Sequence, residues 1–186
     1  MPALDAFPDQ GILQFYIAGE HDLYGACFEN PAQQDDFRVL YFPEVTTNEA
    51  DLLTDFDFLE DCYQLPFNRP SALTFTRKFA PLSASDYQFE SVIIGSDRDD
   101  PDIYEIYEEL FSSQGHKIGG YPFFTQSDPR EFDPYGEEEY QLLLQIDTDD
   151  EAGIMWGDCG VANFFISPAD LERKDFSRVF YNWDCS

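Results

Sequence analysis

The sequence predicts an α+β protein in which the sheet is mostly antiparallel and the helices are few and short. Several segments alternate apolar and polar residues as half-buried strands do. Only one segment has the full signature of an amphipathic helix. Strands therefore outnumber helices, and no regular strand–helix–strand alternation indicates a parallel sheet.

The clearest strand predictions lie in the C-terminal half. In residues 140–147 the alternation places three apolar residues opposite three polar ones: Leu142, Leu144 and Ile146 against Gln141, Gln145 and Asp147. Residues 179–185 alternate similarly, with Val179, Tyr181, Trp183 and Cys185 opposite Phe180, Asn182 and Asp184. The remaining predicted strands are Gly11–Ile17, Phe37–Phe42, Leu73–Phe79 and Gly160–Ile166.

Helix signals are fewer. Asp100 is a predicted N-cap before Pro101, and apolar residues then recur at helical spacing until Gly115 can end the helix (Ile103, Ile106, Tyr107, Leu110 and Phe111). Ser167 is the predicted cap of a short helix through Leu171. The segment Asn48–Tyr63 also favours a helix, although its residues 55–58 alternate like a strand.

Length and composition indicate one globular domain over residues 1–186, with 43% hydrophobic and 17% aromatic residues to fill a core. No apolar run approaches a membrane span and no standard signal peptide is present, so we expect a cytoplasmic protein. The four cysteines (Cys27, Cys62, Cys159 and Cys185) lack the paired spacing of zinc or redox motifs. We expect buried free thiols.

Charge is the most unusual property. The chain has 38 Asp and Glu residues against 10 Lys and Arg, a formal net charge of −28. This field repels phosphate backbones and anionic lipids, which disfavours binding to nucleic acid or membrane. It attracts basic proteins or metal cations. A purely solubilising surface explains the same charge.

Two segments resemble each other. Gly11–Ile17 and Gly160–Ile166 match in residue kind at every position, including a side-chain amide at Gln14 and Asn163. The match suggests an internal pseudo-duplication, although a shared strand pattern explains it equally.

The second half also carries a distinctive set of motifs: His116–Pro122, Gln126–Arg130, Leu142–Asp147, Met155–Asp158 and Ser167–Leu171. Together with Gly11–Phe15 and Asp22–Gly25 they resemble the YwqG-like family, over nearly the whole chain. The resemblance implies a bacterial α+β domain without an assigned reaction. It also implies an N-terminally short form, because members usually carry more residues before the strand at Gly11. An exposed strand edge that favours self-association would follow.

No catalytic residues are predicted. The chain lacks a Gly-x-Ser-x-Gly elbow, and neither His21 nor His116 has a triad partner in sequence. Three residues are candidate binding groups, each with a structural alternative. His116 titrates near neutral pH but suits a structural hydrogen bond. Arg130 suits a ligand carboxylate or a local Asp or Glu, and Trp156 suits a pocket wall or the core.

The acidic loop after the predicted strand at Leu142 is a candidate metal site. Asp147, Asp149 and Glu151 alternate, and Asp158 lies where a calcium loop places its last ligand. The match to calcium loops is imperfect, because Ala152 replaces the turn glycine and Asp158 the usual Glu. An acidic connection without metal is the alternative. Ca²⁺ or Mg²⁺ would be the cofactor, and no other cofactor is indicated.

Three functional hypotheses follow. The first is a non-catalytic protein that binds a basic partner, for example an immunity protein that neutralises a basic toxin; the resemblance and the charge both point to it. The second is a divalent-metal-binding protein or metal-dependent enzyme that uses the Asp147–Asp158 loop. The third is a scaffold whose charge serves solubility alone.

Overall fold

A computed structural model describes residues 3–19, 22–56, 65–92, 101–132 and 139–186. All strand pairing in this part of the chain is antiparallel, in one two-stranded and one three-stranded sheet with a few short helices. The predicted α+β class is confirmed. The strands are β1 (Ile12–Ile17), β2 (Phe37–Phe42), β3 (Gln141–Asp147), β4 (Val161–Ile166) and β5 (Phe180–Asp184).

The helices are α1 (Phe89–Val92), α2 (Pro101–Leu110) and α3 (Pro168–Arg173), with 3-10 turns at Glu49–Asp51 and Pro129–Phe132. Ser167 caps α3 by accepting a hydrogen bond from the Asp170 N–H, as predicted. The predicted helix after residue 100 is present but ends at Leu110, before Gly115. Among the described residues, no helix has the length and apolar character needed to cross a membrane.

The two sheets pack face to face around an aromatic core. Phe164 of β4 stacks on Tyr181 of β5 with ring centroids 4.4 Å apart. The edge of the Phe15 ring from β1 meets Phe164 at 5.0 Å, and Phe37 of β2 meets Tyr181 at 5.1 Å. Every residue of β4 is buried, because the two-stranded sheet covers one of its faces and loops cover the other.

A β-bulge in β3 corrects the predicted faces of that strand. The register to β4 shifts between Leu142 and Leu144. One extra residue exchanges the faces on its two sides. Leu142 therefore packs with Phe165 and Phe180, while Leu144 and Ile146 face the other sheet. The predicted grouping of Leu142 with Leu144 and Ile146 was wrong.

Other predictions also fail. Leu73–Phe79 forms no strand, and Phe79 at its end is 94% exposed. The predicted helix at Asn48–Tyr63 is reduced to the turn at Glu49–Asp51, with no helix from residue 52 to 56. Residues 57–63 of the predicted segment lie outside the described residues. Propensity and pattern do not decide these segments, because tertiary packing overrides both.

The cysteine prediction is partly corrected. Cys27, Cys159 and Cys185 are free thiols, but Cys159 is exposed and the other two are half-buried. Cys62 lies outside the described residues, as does His21.

The pseudo-duplication stays a prediction, although one local geometry fits it. Gly11 precedes β1 and Gly160 precedes β4. A Cβ at Gly11 would collide with the carbonyl oxygen of Phe42, at the end of β2. A Cβ at Gly160 would collide with that of Asp184, at the end of β5. Both positions therefore require glycine for the same reason, the close approach of the neighbouring strand.

Candidate functional site

Five buried polar side chains lie on the face of the three-stranded sheet that points away from β1 and β2. We call it the polar face; its members are Gln145, Asp147, Asn163, Asn182 and Asp184, none more than 9% exposed. The register aligns Gln145 with Asn163 and Asn163 with Asn182, so three side-chain amides form a row across the sheet. Buried polar groups are costly unless they are hydrogen-bonded, so this face must be matched by what covers it.

The cover is the segment 113–126. Gln145 accepts a hydrogen bond from the Phe123 N–H at 2.7 Å and donates to the carbonyls of Ser113 and Gly115 at 3.1 and 2.7 Å. Asn163 donates to the Phe123 carbonyl at 2.8 Å. The amide row therefore holds this irregular segment in place by satisfying its backbone groups.

Asp184 anchors the far end of the cover. Its carboxylate accepts a hydrogen bond from the Gln126 N–H at 2.7 Å. Burial raises the pKa of the Asp184 carboxyl and outweighs the hydrogen bond from the Gln126 N–H that opposes the shift. Three atoms here, Asp184 Oδ1, Asn163 Oδ1 and Thr125 Oγ1, are buried without a partner in good hydrogen-bond geometry in the described chain.

His116 holds the end of β3. Its Nδ1 accepts a hydrogen bond from the Asp147 N–H at 3.1 Å, and its Nε2 lies 3.2 Å from Asp149 Oδ2. A ring nitrogen that accepts from a backbone N–H carries no proton, so Nε2 is the donor to Asp149. The Asp147 carboxylate in turn accepts from the Gly115 and Thr148 N–H groups. The structural hydrogen bond given as the alternative for His116 is present.

Lys117 lies beside this group. Its ammonium donates to the carbonyl oxygens of Ser113 and Tyr121. Burial lowers the pKa of Lys117 to about 8, against the opposing charge of Asp147. The side chain thereby closes the loop between residues 113 and 121.

A cleft of about 730 Å³ opens beside the polar face. Its lining includes Glu108, Gln114, Thr125, Gln126 and Asp147. No Lys or Arg is among the described residues that line it, although two carboxylates are. The arrangement suits a ligand that donates hydrogen bonds or carries positive charge.

The Arg130 side chain binds other groups within the protein. Its guanidinium pairs with Asp128 at 2.5 Å and with Asp86 at 2.7 Å, and all three side chains are nearly inaccessible. It also donates to the Tyr140 carbonyl and stacks 4.6 Å from the Phe165 ring centroid. The hydrogen bonds and charges of the two carboxylates raise the pKa of Arg130, although burial opposes them. The alternative of a local carboxylate partner is therefore realised.

Trp156 lies in the core at 2% exposure, not in a pocket wall. Its ring meets Tyr24 edge-on at 5.6 Å and lies 6.4 Å from the Trp183 ring centroid. None of the three candidate binding residues is among the described residues that line the cleft, although His116 accepts a hydrogen bond from Asp147, which lines it.

The acidic loop forms a tight turn. Asp149 and Ile154 exchange backbone hydrogen bonds, and the Asp149 carboxylate accepts from the Ala152 N–H and contacts His116. These bonds lower the pKa of Asp149, that from Ala152 most strongly. Across the described residues, no three His, Cys, Asp or Glu side chains converge on a metal position. The structure thus does not gather Asp147, Asp149, Glu151 and Asp158, and the Ca²⁺ or Mg²⁺ site stays a prediction.

Sequence reasoning missed the polar face. Alternation correctly separates Asn182 and Asp184 from the aromatic face of β5, but a polar face of a strand usually meets water. The signal that distinguishes this case is the repetition of amides, with Gln145, Asn163 and Asn182 each central in a strand. Only the register shows that they form one row.

Comparison with known proteins adds a family but no activity. No curated protein matches the chain. The family described as "Domain of unknown function (DUF1963)" matches residues 1–185. The YwqG-like resemblance and the short N-terminus stay predictions. Because this match covers nearly the whole sequence, the chain belongs to the DUF1963 family.

Proposed function

We propose that this protein is a non-catalytic binding protein whose acidic surface receives a basic protein partner. The observation that carries the proposal is the cleft beside the polar face, which is lined by Glu108 and Asp147 and by no described cation. In a chain of net charge −28, this cleft is a place where a partner's Lys or Arg side chain gains both charge and hydrogen-bond acceptors.

The polar face supports binding over catalysis. Its hydrogen bonds hold segment 113–126, and with it part of the cleft wall, in one conformation. A preorganised wall lowers the entropy that is lost when a partner binds. His116 and Arg130 are held by protein partners, so neither is offered as an acid, base or electrophile.

A specific form of this function is an immunity protein that neutralises a basic toxin. A toxin that acts on nucleic acid needs a cationic groove for its substrate, and an acidic protein can occupy that groove. Electrostatic steering would make such capture fast and sensitive to salt. The chain's charge and its resemblance to the YwqG-like family support this form.

The test is a tagged pull-down from the native host, washed at low and then high salt, followed by affinity measurements on each captured protein. We expect a basic partner that is released at high salt. Glu108→Lys should weaken its binding by about tenfold or more, because a like charge then faces the partner. Glu172→Lys makes the same charge change at an exposed position of α3 and is the matched control. Equal effects of the two substitutions would refute a role for the cleft.

A further inference from the structure

The outer edges of the strands differ in how they are closed. On β2, the Val39 N–H donates to the Gln34 side chain at 2.9 Å. On β5, the Tyr181 N–H donates to the Pro31 carbonyl at 2.9 Å. On β3, Gln145 exchanges backbone bonds with Lys117, and His116 takes the Asp147 N–H. Each of these three edges therefore has at least one outward N–H group that bonds to another part of the protein, as natural edge strands usually do.

The outer edge of β1 is open in the described chain. The Ala18 N–H donates to the Asp36 carbonyl. Because hydrogen-bonded pairs alternate along an antiparallel ladder, Tyr16, Gln14 and Ile12 also bond to β2. The intervening Leu13, Phe15 and Ile17 must direct their N–H and C=O groups away from β2. No backbone or side-chain partner takes those N–H groups among residues that the structure describes. The Val39 N–H, directly opposite Phe15, also points away from the partner strand and bonds to Gln34, which agrees with this alternation.

The composition of β1 leaves this edge unprotected. Ile12–Ile17 contains no charged residue, although 26% of the chain is charged. Natural edges are commonly blunted by lysine, proline or a bulge, and β1 has none of these. The core-facing Leu13, Phe15 and Ile17 are only half-buried, so an added strand would cover them further.

We propose that the β1 edge binds an extended segment of a basic protein partner as an added antiparallel or parallel strand. The partner's backbone would bond to Leu13, Phe15 and Ile17, and its apolar residues at alternate positions would extend the core. The site is separate from the cleft, and only the sign of the partner's charge rests on the proposed function. A second copy of this chain is disfavoured because each copy carries −28.

Hydrogen exchange of the full chain, measured residue by residue by NMR, tests this site. The probe is a synthetic nine-residue peptide of alternating valine and lysine. Without the peptide, the amides of Leu13, Phe15 and Ile17 should exchange on the order of a hundredfold faster than those of Gln14 and Tyr16. With the peptide, these three amides should become protected and the alternation should disappear.

A pair of variants isolates the backbone contribution. Leu13→Pro removes an N–H that makes no bond to β2, so the hairpin ladder is retained. Leu13→Ala removes the side chain but keeps the N–H. We expect Leu13→Pro to bind the peptide about tenfold more weakly than Leu13→Ala, the loss of about one hydrogen bond. Circular dichroism of both variants confirms that each is folded.

The outcomes separate this proposal from the proposed function. Peptide binding that leaves the three amides unprotected, or the absence of binding, would overturn the β1 site while leaving salt-sensitive partner capture at the cleft intact. Protection that grows with protein concentration alone would show that a second copy occupies the edge, and would also overturn it. Protection by the peptide, with no effect of Glu108→Lys on any partner, would support the β1 site and refute the cleft.

Discussion

The two sheets of this protein differ in how much of their surface is covered. The three-stranded sheet β3–β4–β5 is covered on both faces, and backbone groups at its outer edges bond to Lys117, His116 and Pro31. The β1–β2 hairpin is covered on one face only. Its outer face exposes Ile12, Tyr16, Leu40 and Phe42 by 38–49%. Burial stabilises the first sheet, whereas the second keeps apolar side chains of its outer face exposed.

The comparison shows where substitution should be costly. In the three-stranded sheet even polar residues are buried, so each removal leaves either a cavity or an unpaired group. On the outer face of the hairpin the same removals leave neither.

The largest effect is expected for Phe164→Ala. The Phe164 ring contacts Tyr181, Phe15 and Phe37 between the two sheets and is 2% exposed. Its loss should lower the free energy of unfolding by about 3–5 kcal/mol in urea titration. Tyr16→Ala, on the outer hairpin face, should cost about 1 kcal/mol or less. Equal costs would contradict the division between the two sheets.

Arg130→Met should cost about 3 kcal/mol or more, because Asp86 and Asp128 would remain buried without their cation. The control is Arg173→Met. Arg173 also pairs with a buried carboxylate, Asp170, but its own side chain is 61% exposed and Arg178 shares that carboxylate. We expect a loss of about 1 kcal/mol or less there, measured by the same titration.

Gln145→Met should cost about 2 kcal/mol, because the Phe123 N–H and the carbonyls of Ser113 and Gly115 lose their partner. Segment 113–126 should then exchange its amide hydrogens faster. Gln14→Met, on the outer hairpin face, is the matched control and should change stability by about 0.5 kcal/mol or less. Unchanged exchange in 113–126 would show that the amide row does not hold the cover.

The smallest effect concerns pH. The pKa of Asp184 is raised above its ordinary 3.8, so the folded state binds this proton more tightly than the unfolded chain does. The stability it contributes is complete below 3.8 and is lost as the pH rises through the folded value. Asp184→Asn should therefore melt about 2 °C higher than the parent at neutral pH, and the difference should vanish on acidification.

Asp175→Asn supplies a control of opposite sign. Hydrogen bonds from Ser177 lower the pKa of Asp175, so its contribution is present at neutral pH and is lost as the pH falls through the folded value. This variant should melt below the parent at neutral pH and approach it in acid. Melting curves for both variants from pH 3 to pH 8 check the two directions. Parallel curves for both variants would contradict the assignment of Asp184.

The local pattern of the sequence determined the elements where it had no competitor. Period-two alternation located five of the six predicted strands, and the Ser167-Pro168 cap located α3. It misplaced Leu73–Phe79, whose pattern is strand-like but which has no partner strand within the described part of the chain. For Arg130 and Trp156 the residue types allowed both a site and a structural role, because type alone does not specify burial or partners.

The sequence by itself thus determined the α+β class, the acidic charge and most strands, since these depend on residues that are near in the chain or on simple counts. Only the tertiary structure decided the bulge that turns Leu142 over, the amide row through Gln145 and Asn163, and which strand edge is open. Each of these depends on register, a relation between residues far apart in sequence. A shift of one residue changes the face of every side chain and the direction of every N–H, and no local pattern encodes it.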